Sequence, residues 1–118
     1  MKILFRCDNS YKIGSGHLIR CLNMAQQLHG EIYFICRSLK GNINSLVEEN
    51  QFTLHELPSL DFEIEEIINE IDEINPLLNE IQPDIIIIDH YGLDISWESN
   101  AQKYSDKILI IDDLNRPH

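Results

Sequence analysis

A three-layer α/β/α domain built on a parallel sheet is the fold class this sequence predicts, and three observations predict it. Short apolar runs alternate with stretches of helical periodicity, in the order strand, helix, strand, helix, strand, helix, strand, helix, strand. One run, "DIIIID" at 84–89, is apolar on both faces, as a central strand of a parallel sheet must be. The polar and glycine-containing segments fall after the strands, where such sheets place their ligands.

Each element has its own signal. "KILFRC" (2–7) is the short apolar run of a buried strand. In "HLIRCLNMAQQLH" (17–29), Leu18, Cys21, Leu22, Ala25 and Leu28 recur at helical spacing, and Gly30 supplies a stop. "EIYFICR" (31–37) reads as the second strand, "NSLVEENQ" (44–51) as a short helix and "FTLHEL" (52–57) as the third strand. In 61–82, Ile64, Ile67, Ile68, Ile71, Ile74 and Leu78 form one apolar stripe with carboxylates expected on the opposite face. Pro76 is expected to kink or restart that helix. "ISWESNAQKYS" (95–105) reads as a helix and "KILIID" (107–112) as the fifth strand. No internal repeat, linker or low-complexity tract interrupts the pattern.

The 118 residues make a single domain, with 43% hydrophobic and 25% charged residues. No apolar run approaches the roughly 20 residues of a membrane helix. The start, "MKILFRCD", lacks the apolar core of a signal peptide, so the cytoplasm is the expected compartment. Cys7, Cys21 and Cys36 have neither CxxC nor Cys/His spacing and read as reduced, buried thiols. The histidines are scattered, so no metal site is expected. A net charge of −11 argues against nucleic acid or an anionic membrane as partner. The charge is uneven: residues 1–40 hold six Lys/Arg and two acids, and 41–102 hold fifteen acids and no Lys or Arg. That clustering gives weak support for an anionic ligand near the first loop.

The predicted rim gathers Asp8 to His17, Arg37 to Gly41, Asp89 to Asp94 and Asp112 to His118. Its first loop, "DNSYKIGSGH", admits several readings. A dinucleotide fingerprint fails, because Ile19 stands where the third glycine belongs, the turn is too long, and strand two ends in Arg37 instead of an acid. A phosphate-accepting receiver domain fails as well. Only Asp8 follows strand one where an acidic pair should stand, and strand five ends in Asp112-Asp113 where a lysine is needed. A third reading rests on His17 in the first turn of helix one. Unpaired backbone N–H groups and the positive end of the helix dipole favour neutral imidazole there, the form a general base requires. Gly14 and Gly16 would let backbone approach a ligand closely, or would only relieve a tight turn.

The string "RCDNSYKIGSGHLIRCLNMA" resembles the signature of the UDP-sugar hydrolases of pseudaminic acid biosynthesis and the related spore coat polysaccharide proteins. That pattern, R-x-D, a short gap, then I-G-x-G-H-x-x-R, is met by Arg6, Asp8, Ile13, Gly14, Gly16, His17 and Arg20. "IIDHYGLD" (87–94) agrees too, and "IDDLNRPH" (111–118), with Arg116 and His118, resembles a third stretch of the family. The resemblance implies the Rossmann-like N-terminal half of a two-domain, glycosyltransferase-B-type enzyme that removes UDP from UDP-2,4-diacetamido-2,4,6-trideoxy-hexoses. It implies His17 as the base that activates water, with Asp8, Gly14, Gly16, Arg20, Asp89, His90 and Tyr91 around the substrate. No cofactor is expected; the resemblance implies a UDP-activated amino sugar and a C-terminal nucleotide-binding domain as partners. A non-catalytic sugar-binding or interaction module of the same fold is the alternative.

Each of these residues also has a purely structural reading. Asp8 would cap the loop, Arg20 would pair with Asp8 or Asp89, and Asp112 and Asp113 would stabilise turns or interdomain contacts. His90 and Tyr91 are evenly poised between packing and sugar contact. Trp97, the lone tryptophan, is expected in the core and not as a sugar platform.

Overall fold

The computed structural model describes residues 1–59, 70–89 and 95–111. They form β1 (Lys2–Cys7), α1 (Gly16–Ala25), β2 (Glu31–Arg37), α2 (Ser45–Glu49), β3 (Thr53–Leu57), α3 (Glu70–Ile81), β4 (Ile85–Asp89), α4 (Ile95–Ala101) and β5 (Lys107–Ile110). The five strands make one sheet in the order β3-β2-β1-β4-β5, and every pair is parallel. The α/β fold predicted from alternation alone is therefore the fold observed. Among the described residues, no helix is long and apolar enough to cross a membrane.

The two-residue period of β1 splits the core between the sheet faces. Ile3, Phe5 and Cys7 pack with Leu18, Cys21, Leu22 and Ala25 of α1 and Val47 of α2. Leu4 packs on the other side with Ile74, Leu78 and Ile81 of α3 and Trp97 and Ala101 of α4. Phe5 stacks on Phe34 at 4.8 Å between ring centroids, which locks β1 to β2 on the α1 face. β4 lies between β1 and β5, and Ile86, Ile87 and Ile88 are buried. That central position is why the run is apolar on both faces.

Three boundaries differ from expectation. α1 ends at Ala25, not at 29, because Gln27 and Leu28 donate to the carbonyls of Met24 and Ala25, three residues back. That tighter turn swings Leu28 out of the apolar stripe, and it is 37% exposed. α3 runs through Pro76 without interruption. Pro76 and Asp72 both lie on the exposed side, so water can serve the carbonyl that proline leaves without an N–H partner. α4 ends at Ala101, four residues short of the predicted end, in turns through Tyr104. The expected strand over 107–112 is observed through Ile110; Ile111 still donates to the Ile88 carbonyl, and Asp112 lies outside the described residues.

The strand order fixes where a ligand can bind. From β1 the chain moves outward through β2 and β3, then returns to place β4 on the other side of β1. The sheet's switch point is thus between the carboxyl ends of β1 and β4, the place where open parallel sheets bind their ligands. Cys7 of β1 and Asp89 of β4 are paired in register at that point.

Candidate active site

Asp89, the last residue of β4, and His17, in the first turn of α1, meet above the switch point. His17 Nδ1 stands 2.6 Å from Asp89 Oδ1. Arg20, one helical turn beyond His17, grips the same carboxylate with two donors, Nε to Oδ2 at 2.8 Å and NH2 to Oδ1 at 2.7 Å. The Cys21 thiol donates to Oδ2 at 3.7 Å from beneath. Of the two partners open to Arg20 in the sequence, Asp89 is therefore one it takes. Spacing explains the convergence: positions 17, 20 and 21 share one face of a helix.

Burial of Asp89 works against its charge, but the hydrogen bonds from His17 and Arg20 outweigh it, and the carboxyl is held below its ordinary range. An ionised carboxylate only accepts, so His17 Nδ1 carries a proton, and in the neutral ring the lone pair lies on Nε2. The Arg20 NH2 found 3.4 Å from Nδ1 faces a nitrogen that is already protonated. That approach is a contact between donors, not a hydrogen bond. The arrangement can hold an imidazole in one tautomer and stabilise the imidazolium formed when Nε2 takes a proton.

The loop between β1 and α1 is long but not loose. Ser10 and Gly14 exchange backbone hydrogen bonds, with Gly14 N–H to the Ser10 carbonyl at 2.8 Å and the reverse at 3.4 Å. The Ser10 hydroxyl accepts the N–H groups of Lys12 and Ile13, closing the tip on itself. Asn9 ties the loop to the segment after β2, donating to Asn44 Oδ1 and accepting from the Ile43 N–H. Gly14 has φ of +86°, a left-handed conformation that favours glycine. Gly16 has no such need, and a methyl on either glycine would meet no heavy atom of the described residues within 4 Å. The space above Gly16 belongs to the rim and to nothing else in the described chain.

Asp8 turns away from the His17–Asp89 pair, toward the opposite face of the sheet. Its carboxylate takes two bonds from Arg6, at 2.7 and 3.1 Å, and the backbone N–H of Arg37 at 2.6 Å. Arg6 and Arg37 in turn reach Glu70 of α3, which also accepts the Trp97 indole N–H at 2.7 Å. Trp97 is thus the core residue expected, with a polar partner. Half of the six basic residues that clustered in the first 40 positions, Arg6, Arg20 and Arg37, are held in ion pairs within the chain. Lys12 and Lys40 remain exposed on the rim loops.

His90 and Tyr91 lie outside the described residues, as do Asp94, Asp112, Asp113, Arg116 and His118. The three cysteines are free and buried, as expected. Cys7, buried beside the Cys21 and Cys36 thiols, is pushed well above the ordinary thiol range, as expected of a packed structural thiol. Glu70 was missed by the sequence reading, although it sits four residues before Ile74 on the apolar stripe. An acid on such a stripe is the signal that could have found it.

These carboxylates make stability sensitive to acid. Burial raises the Glu70 pKa, but the charge and hydrogen bonds of Arg6 and Arg37 more than reverse this, so Glu70, like Asp89, is lowered. A lowered carboxyl contributes its full stability above the unfolded value, about 4. The contribution is lost as the pH falls through the lower folded value. The urea midpoint is expected to be flat from pH 7 to about 5 and to fall below about 4. A midpoint unchanged down to pH 3 would contradict these pairings.

Fold and site together define an α/β parallel-sheet domain with a histidine–aspartate pair at its switch point. Along its whole length the chain is 38% identical, over 119 aligned positions, to the UDP-2,4-diacetamido-2,4,6-trideoxy-beta-L-altropyranose hydrolase of Campylobacter jejuni. The resemblance read from the motifs is borne out in that the chain is related to that hydrolase from end to end. It spans 39% of the hydrolase's length. An uncharacterised protein of Methanocaldococcus jannaschii is 28% identical over 98% of the chain, which spans 22% of that protein. No protein-family model matches the chain.

Proposed function

We propose that this domain supplies the general base of an enzyme that hydrolyses a UDP-2,4-diacetamido-2,4,6-trideoxy-hexose to UDP and the free sugar. The observation that carries the reading is the His17–Asp89 hydrogen bond at the switch point, and the C. jejuni hydrolase supports the substrate class. Nε2 of His17 removes a proton from water as the water oxygen bonds to the anomeric carbon. The bond from that carbon to the UDP oxygen breaks, and its electron pair leaves with UDP. Asp89 stabilises the imidazolium, and Arg20 keeps Asp89 ionised and in place. Gly14 and Gly16 leave room for the sugar, and His90 and Tyr91 are assigned to its neighbouring side. The product would feed nonulosonic acid or surface polysaccharide synthesis. Most of the UDP pocket would come from a second, nucleotide-binding domain, since the chain matches only 39% of the hydrolase.

The test is UDP release from UDP-2,4-diacetamido-2,4,6-trideoxy-β-L-altrose, by this chain alone and with the remaining segment of the C. jejuni hydrolase. Turnover that requires the second segment supports the reading. Its absence from a folded, assembled mixture would favour a binding module that does no chemistry.

Gly16→Ala separates ligand approach from folding. A methyl there touches nothing in the described chain and relieves a helix position of glycine, so stability should stay within about 1 kcal/mol of the parent. KM for the UDP-sugar should rise about tenfold or more, because the methyl occupies space reserved for the sugar. An unchanged KM in this variant would place the sugar elsewhere.

A further inference from the structure

Across the sheet from His17 lies a second charged cluster that the proposed chemistry does not touch. Glu70 is fully buried and its carboxylate takes four donors. Arg6 supplies Nε at 2.9 Å and NH2 at 2.5 Å, Arg37 supplies NH2 at 2.8 Å, and Trp97 supplies its indole N–H at 2.7 Å. Arg6 is fully buried as well, and its remaining donors hold both oxygens of Asp8 and the Cys7 carbonyl. Asp8 is the residue at which β1 gives way to the loop that carries His17. Its Oδ1 also takes the backbone N–H of Arg37, the last residue of β2. One connected set of bonds thus joins the ends of β1 and β2 to α3 and α4.

Stability alone is a poor reason for such a cluster. Well-packed apolar residues of similar volume often replace buried ion pairs at no loss of stability. What the charges supply is direction, since bidentate guanidinium–carboxylate pairs fix both groups in angle and distance. We propose that Glu70 is a positioning residue for His17: through Arg6 it fixes Asp8, and through Asp8 it sets the start of the β1–α1 loop. Asp8 is then a strut of the site and not a contact of the sugar, because its oxygens are turned into this cluster. The inference rests on the reading of His17 as the base, but its primary readout does not need turnover.

Trp97 is the single tryptophan, so its indole N–H gives one NMR signal that reports directly on Glu70. The ring nitrogens of His17 report its tautomer. In Glu70→Gln both the indole signal and the His17 ring signals should move, with loss of the pure Nδ1–H pattern. In Asp8→Asn, which leaves the Glu70–Trp97 bond, the His17 signals should move while the indole signal stays. Folded variants in which the His17 nitrogens keep their parent shifts would overturn the proposal. Should neither variant fold, hydrogen exchange in the parent chain decides. The Arg37 backbone N–H and the Trp97 indole N–H should then exchange as one opening, and a freely exchanging Arg37 N–H beside a protected indole would sink the idea. In the assembled enzyme, Asp8→Asn should lower kcat about tenfold or more and move KM less than twofold. A raised KM with kcat intact would instead make Asp8 a substrate ligand.

Discussion

His17→Ala should lower UDP release by about 10²–10⁴-fold, the usual contribution of a positioned base. The fold should survive the change. Asp89 keeps both Arg20 donors and the Cys21 thiol when the imidazole is gone, so its buried carboxylate is not left bare. The loss should therefore fall on kcat, with KM for the UDP-sugar within a few-fold of the parent. Added imidazole should recover part of the rate. Steady-state kinetics on the assembled enzyme checks this, and turnover that persists at the parent rate would remove His17 from the mechanism.

Asp89→Asn should cost a comparable factor, about 10²–10⁴ in kcat, for a different reason. Asp89 has donors on both oxygens: His17 Nδ1 and Arg20 NH2 at Oδ1, and Arg20 Nε with the Cys21 thiol at Oδ2. An amide cannot match that set, since its NH2 meets a donor whichever way it turns. The least costly escape is for His17 to shift its proton to Nε2 and accept from the amide through Nδ1. That tautomer has no lone pair where the base needs one. Stability should fall by about 1–3 kcal/mol, as expected when a buried donor meets no acceptor. Nitrogen chemical shifts of the His17 ring would show the exchange of tautomers directly. An active variant with an unchanged ring would mean that Asp89 serves only the packing of Arg20.

The two variants thus separate the base from what aims it. Gly16→Ala probes the space in front of the histidine, and the Glu70 and Asp8 variants probe the frame behind it. Their expected effects differ in kind: kcat, tautomer, KM and loop position.

Much of this site was legible along the chain. Local rules place His17 and Arg20 one turn apart, so that any partner of one is within reach of the other. Strand alternation sends Asp8 and Asp89 to the carboxyl ends of strands, and the rim rule gathers them. What a linear reading could not settle was the facing of each side chain. Asp8 and Asp89 look alike in sequence, an acid closing an apolar run, yet they turn to opposite faces of one sheet. Asp89 stands opposite Cys7, on the face that α1 covers, while Asp8 stands one residue on from Cys7 and points to α3. A shift of one position reverses the face, because side chains alternate along a strand.

Glu70 shows the same division from the other direction. The sequence places carboxylates on the solvent side of the third helix, and most of the described ones obey. Glu70 shares its stripe with Ile74 and Leu78 and is tolerated there only because two arginines and an indole from three other elements surround it. By itself, then, the sequence determined the α/β class, the order of elements, the burial of Trp97 and the cysteines, and the histidine at the rim. Those follow from periodicity and from short-range spacing, which act within a few residues. Only the tertiary structure decided which acid holds His17, which acid braces the loop, and why half of the early basic residues are spent inside the chain. Those choices depend on pairings across 29 to 72 residues, and no local rule can set them.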